Sequence, residues 1–173
     1  MAGACRPHIG PTTSTNGKLK GVTGRAWLDH EWSSELLPDE GQGWDWIGVN
    51  LDDGSALMAF RLRDPRSQAL WSAASIRQDN GRSEILPAEA VAFEPLRHWR
   101  SSRTGITYPV EWRVRLGRRE LLLRPLMDDQ ELDSRRSTGA IYWEGAIRLS
   151  EGGREVGRGY LEMTGYGERI RLG

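Results

Sequence analysis

Glycine turns punctuate this chain so closely that most intervals hold one strand and nothing longer. Asp52-Asp53-Gly54, Asp79-Asn80-Gly81, Gly117 before Arg118-Arg119, and Glu151-Gly152-Gly153 each supply the positive-φ residue of a tight hairpin. Between the turns, residue character alternates. Val110, Trp112, Val114 and Leu116 share one side of an expected strand, while Glu111, Arg113 and Arg115 take the other. Ala56, Met58, Phe60 and Leu62 give a second strand its expected apolar face. The same reading expects strands at Val22–Trp32, Trp44–Leu51, Ala56–Arg63, Leu70–Arg77, Glu84–Leu86, Val91–Glu94, Val110–Leu116, Glu120–Leu126, Ala140–Leu149 and Glu155–Thr164. Met127–Thr138 is expected as a short helix or loop. About eight to ten antiparallel strands without crossover helices predict an all-β closed or nearly closed barrel, or a sandwich.

Residues 1–20 are rich in Gly, Pro, Ser and Thr and are expected to be an irregular segment ahead of a 21–173 barrel domain. The 24 cationic and 24 anionic side chains cancel and intersperse, so no nucleic-acid footprint is expected. Cys5 is the only cysteine, which excludes an internal disulfide. Three scattered histidines lack metal-ligand spacing, and no nucleotide-binding glycine pattern occurs, so neither metal nor cofactor is expected. No run approaches the ~20 apolar residues of a membrane span. The expectation is a cytoplasmic chain, or a periplasmic or membrane-associated one if its true amino terminus lies upstream. Eight tryptophans are many for 173 residues, and several should line a cavity or interface.

Gly24-Arg25-Ala26-Trp27-Leu28-Asp29-His30-Glu31-Trp32-Ser33, followed by Gly43-Trp44-Asp45-Trp46, resembles the lipocalin-like carotenoid 1,2-hydratase family. That family is also called hydroxyneurosporene synthase and includes AttH-type proteins. Leu51-Asp52-Asp53-Gly54, Tyr108-Pro109, Asp129-Gln130-Glu131, Tyr142-Trp143-Glu144-Gly145 and Gly159-Tyr160-Leu161-Glu162 continue the similarity in order, over roughly residues 15–170. The resemblance implies a lipocalin-like barrel with an elongated apolar ligand, an isoprenoid, carotenoid or lipid. It also implies a separate first lipocalin-like domain, since this chain resembles only the second of two. In the hydratase branch, water adds across a carbon–carbon double bond of an acyclic carotenoid. That branch implies an acid on the strand after the Asp-Asp-Gly turn, yet Leu57-Met58-Ala59-Phe60-Arg61-Leu62 holds none.

Metal-free hydration needs a proton donor, aromatic faces for the cation, and a base for the attacking water. His30, Glu31, Glu144 and Glu162 are the candidate catalytic residues. Ala26, Leu28, His30 and Trp32 share one strand face, expected to look into the barrel, although a simpler role for His30 is hydrogen bonding within a polar network. Trp32, Trp44, Trp46, Phe60, Trp112, Tyr142 and Tyr160 are the candidate ligand-binding residues. With a turn centred on Gly152, Tyr142 is expected opposite Glu162 and Glu144 opposite Tyr160, which also suits a purely structural ladder.

Overall fold

A computed structural model describes residues 12–15, 18–21, 27–28, 37–136 and 139–170. The chain divides into two compact units, Met1–Trp32 and Ser33–Gly173. In the first, β1 (Thr12–Thr15) pairs antiparallel with β2 (Lys18–Gly21), so the expected irregular segment contains a short hairpin. Leu28 is 61% exposed, contrary to the inward face expected for it.

The second unit is one antiparallel sheet. Its strands are β3 (Gly43–Leu51), β4 (Ala56–Arg63), β5 (Ala69–Arg77), β6 (Ser83–Leu86), β7 (Val91–Arg100) and β8 (Thr107–Leu116). They continue with β9 (Arg119–Pro125), β10 (Glu131–Ser134), β11 (Ala140–Glu151) and β12 (Arg154–Thr164). The order is β6-β5-β4-β3-β12-β11-β9-β8-β7, with β10 also on β11. The fold is all-β and lipocalin-like, but no backbone ladder joins β6 or β5 to β7, so the sheet is not closed. A single 3-10 turn, Ala88–Ala90, is the only helical element among the described residues, and none of their helices could cross a membrane.

Turn chemistry explains the topology. Gly54, Gly81, Gly117, Gly152 and Gly153 all have positive φ at the hairpins the sequence marked. The segment expected as helix or loop instead forms β10, and Gln130 explains how. β11 pairs with β10 through Ala140–Trp143 and with β9 through Ile147–Glu151, leaving a gap between. The Gln130 side-chain amide fills it, donating to the Ala146 carbonyl at 3.2 Å and accepting from the Ala146 N–H at 2.8 Å. A side chain stands in for a missing stretch of strand. Gly145 makes this possible, because a Cβ there would lie 2.2 Å from Gln130 Cδ.

One face of the sheet is the core. Ile47, Val49, Leu57, Val110, Leu123, Trp143 and Met163 have no accessible surface. A water-sized void beside any of these side chains would register as accessible area, so these seven are closely packed. The core face of β4 is Leu57, Ala59, Arg61 and Arg63. Ala56, Met58, Phe60 and Leu62, expected to face the core, alternate with these on the outer side; Ala56 is nonetheless buried, and Met58, Phe60 and Leu62 are half-buried. The reason is electrostatic and lies in Asp45, described below.

β12 approaches β3 so closely that a Cβ at Gly159 would lie 2.0 Å from the Gly48 carbonyl oxygen. Backbone cannot swing aside as a side chain can. Gly159→Ala is expected to lower stability by about 1–3 kcal/mol, the usual range for overpacking, without a large change in the m-value. Urea unfolding measures this, and an unchanged midpoint would show that the two strands have room to part.

Candidate functional site

The outer face of β11, β12, β3, β4 and β5 reads as parallel rows, because side chains two apart share a face and the ladders fix their neighbours. In one row Glu144 lies opposite Glu162, Glu162 opposite Trp46, and Trp46 opposite Phe60. In the row on one side, Trp44 is opposite Leu62 and Leu62 opposite Trp71, with Thr164 opposite Tyr142. In the row on the other, Ala146, Tyr160, Gly48 and Met58 follow one another. Seven sequence candidates are thus placed: Glu144, Glu162, Trp44, Trp46, Phe60, Tyr142 and Tyr160 share one surface. Trp112 does not join them, being 1% exposed in the core. His30, Glu31 and Trp32 lie outside the described residues.

The pairing of Glu144 with Glu162 corrects the expected register. Both glycines of Gly152-Gly153 serve in the turn, which moves the ladder by one residue. A bulge between Leu149 and Ser150 moves it by one more. Two carboxylates therefore stand directly across from each other, an arrangement that costs energy unless donors relieve it. Trp44 Nε1 donates to Glu162 Oε1 at 2.6 Å, and the Tyr160 hydroxyl donates to Glu144 Oε2 at 3.3 Å. Burial, then the Glu144 charge, push the Tyr160 phenol up to about 12, so it stays a donor near neutrality. Phe60 and Trp71 meet at 5.6 Å with tilted rings. Trp46 is 6% exposed, whereas Trp71 and Tyr160 are open to solvent.

The sequence reading missed a second assembly, inside one end of the sheet. Asp45 sits between Trp44 and Trp46 but points the other way and is fully buried. Arg61 reaches it through Nε at 3.0 Å and Nη2 at 2.6 Å, and Arg63 Nε lies 2.9 Å away. The Tyr166 hydroxyl donates to its other oxygen at 2.8 Å. Arg63 also donates to the Thr164 carbonyl and lies 4.0 Å from the Tyr166 ring centroid. Arg61 stacks near Phe93 and Trp112, at 5.5 and 5.0 Å, and its Nη1 donates to the Phe93 carbonyl at 3.3 Å. Arg61 therefore ties β4 to β7 across the unpaired seam. Burial above all, then Asp45, hold the Tyr166 phenol well above its ordinary range.

A third polar knot lies beside it. Glu131, 8% exposed, accepts from Ser101 Oγ at 2.8 Å, Thr104 Oγ1 at 2.7 Å and the Tyr108 hydroxyl at 2.9 Å. Burial, then Glu131, raise the Tyr108 phenol. Its ring meets that of Tyr166 at 5.7 Å. Both knots have their hydrogen-bonding capacity turned inward, onto partners that already hold them, which suits fixing strands more than greeting a ligand. Among the described residues, no group of three or more His, Cys, Asp or Glu is arranged to hold a metal ion.

Beyond β11 and β12 the outer surface changes character. Across β7, β8 and β9, Glu94 pairs with Arg113, Arg97 with Glu111 and Asp128, and Arg124 with Glu111. Such a lattice is a solvated face. The aromatic and acidic surface is the exception, and it is the candidate site.

An open-ended antiparallel sheet with an apolar inner face and this motif order defines a lipocalin-like domain. The chain belongs to the AttH-like family, whose model matches residues 7–166. It is 52% identical to the crystal structure of a candidate AttH from Nitrosomonas europaea, with a TM-score of 0.82, covering 87% of this chain and 47% of that one. The crystal structure of kievitone hydratase from Nectria haematococca shares the fold at 22% identity and a TM-score of 0.67, covering 88% of this chain and 48% of that one. No curated protein matches. The chain thus spans about half the length of the solved relatives it matches.

Proposed function

We propose that this chain is one half of a hydratase-related lipocalin-like protein and binds an elongated apolar molecule, of isoprenoid or lipid type, on its outer face. The carrying observation is the Glu144–Glu162 pair, set among Trp44, Trp46, Tyr142, Tyr160 and Phe60. The gathering of these aromatic and acidic side chains on one face supports a ligand there. From β11 to β5 the face crosses four strand spacings, about 19 Å, a track long enough for an extended chain. A separate first lipocalin-like domain is the proposed partner that would cover the other side of the ligand, consistent with the greater length of the relatives.

The chemistry suited to the pair is addition of water to a carbon–carbon double bond. One carboxyl group delivers the proton, the aromatic faces stabilise the resulting cation, and the second carboxylate takes a proton from the incoming water. This supplies the acid that β4 lacks. One relative is named a hydratase, which favours this reaction over simple carriage.

Titration with all-trans retinol, a neutral isoprenoid, tests the placement through the ligand's own fluorescence. Saturable binding is expected, weakened about tenfold by Trp44→Leu, which removes one aromatic wall. Val114→Ala, in the core away from this face, should leave affinity unchanged. Retinol that never saturates, or binds Trp44→Leu as well as the parent, would remove this face as the site.

A further inference from the structure

The acid row has a counterpart farther along the same two strands. Arg148 lies directly opposite Arg158, on the outer face and two positions beyond Ala146 and Tyr160. Like charges opposite one another in a ladder repel. One carboxylate serves both: Arg158 Nε donates to Glu155 Oε1 at 2.7 Å, while Arg148 Nη1 lies 3.6 Å from Glu155 Oε2. Asp52, in the β3–β4 turn, acts on Arg158 only through space. The two arginine side chains remain 54% and 71% exposed. A paired cation with one shared counter-ion therefore borders an apolar surface.

We propose that this pair recognises the anionic head of the ligand, so that the molecule bound on the aromatic face is an acidic amphiphile, a single apolar chain ending in a carboxylate. The inference rests on the binding face proposed above. Charge complementarity argues for it: a carboxylate bridging Arg148 and Arg158 would relieve their repulsion with geometry that suits guanidinium groups. The apolar body would then run past Tyr160 and Met58 toward Trp46 and Phe60. Arg148 is four positions from Glu144 along β11, about 13 Å of strand. The head would thus be anchored well away from the acid pair, and anchoring would set which part of the chain lies over Glu144 and Glu162. Remote binding of this kind selects position as well as ligand.

Retinoate and retinol share one isoprenoid body and differ in the charge of the head, so they form the test pair. Retinoate is expected to bind about tenfold more tightly, the worth of a charge-assisted contact partly screened at the surface. Arg148→Gln with Arg158→Gln should abolish that preference and leave retinol binding unchanged, with circular dichroism confirming the fold. Glu155→Gln, which frees the pair from its internal counter-ion, should strengthen retinoate binding several-fold and not that of retinol. Raising salt should shrink the preference. Equal affinities for the two ligands in the parent chain would overturn the inference while leaving the apolar face intact; failure of both to bind would overturn face and inference together. Retinoate taken up only when presented in anionic vesicles, never as a monomer, would show a lipid surface as the partner and also overturn it.

Discussion

Asp45→Ala is expected to destabilise the fold by about 3–5 kcal/mol, a large share of the roughly 5–15 kcal/mol that holds a domain folded. The loss is not that of one hydrogen bond. Asp45 is the carboxylate between two buried guanidinium groups, and without it Arg61 and Arg63 would face each other uncompensated in the packed interior. Tyr166 would lose its acceptor as well. Urea unfolding followed by tryptophan fluorescence measures the change. A triple replacement of Asp45, Arg61 and Arg63 by leucine, methionine and methionine should recover much of the loss, because an apolar set of similar volume avoids the desolvation cost. A single-variant loss below about 1 kcal/mol would mean that water reaches the cluster and shields it.

Trp143→Ala should cost a similar amount, about 3–5 kcal/mol. Its indole is fully buried, and its Nε1 donates to the Asp128 carbonyl at 2.7 Å. Truncation opens a cavity and also orphans that carbonyl, in the segment that carries the Arg97–Asp128 ion pair and the Gln130 insert. Trp143→Phe separates the two effects, since it keeps most of the volume and loses only the donor. It is expected to cost about 1–2 kcal/mol. A Phe variant as unstable as the Ala variant would place the weight on the hydrogen bond instead of the filled space.

The outline of the fold was legible because it rests on local signals. Hairpin glycines and alternating side chains placed β3, β4, β5, β8, β9, β11 and β12 to within three residues at either end. β7 runs on to Arg100, past the expected end at Glu94, because Pro95 and the charged residues after it hide the strand behind register shifts. Which face of β4 is buried was misread for a different reason. Arginine at alternate positions resembles a solvent face, and only its partner reveals otherwise. That partner was within reach: the hairpin through Asp52-Asp53-Gly54 puts Arg61 directly opposite Asp45. Opposite charges meeting across a hairpin, beside two indoles, signal a buried pair. Glu131 was part of a quoted motif, but its three hydroxyl donors come from Ser101, Thr104 and Tyr108, and no spacing rule links them. The clustering of Glu144, Glu162, Trp44 and Tyr160 was approached from the residue types, but the exact neighbours depended on a bulge that leaves no mark in the sequence.

The seam between β5, β6 and β7 has a dynamic consequence. Where strands share a ladder, separating them breaks many backbone bonds at once; where they meet through side chains, as β4 meets β7 through Arg61, opening breaks fewer hydrogen bonds. Fraying should therefore begin at the two margins, with amides of β6 exchanging with deuterium well before those of β3 and β12 at the sheet's centre. A domain built this way can loosen at its rim while the strands that carry the acid pair stay fixed.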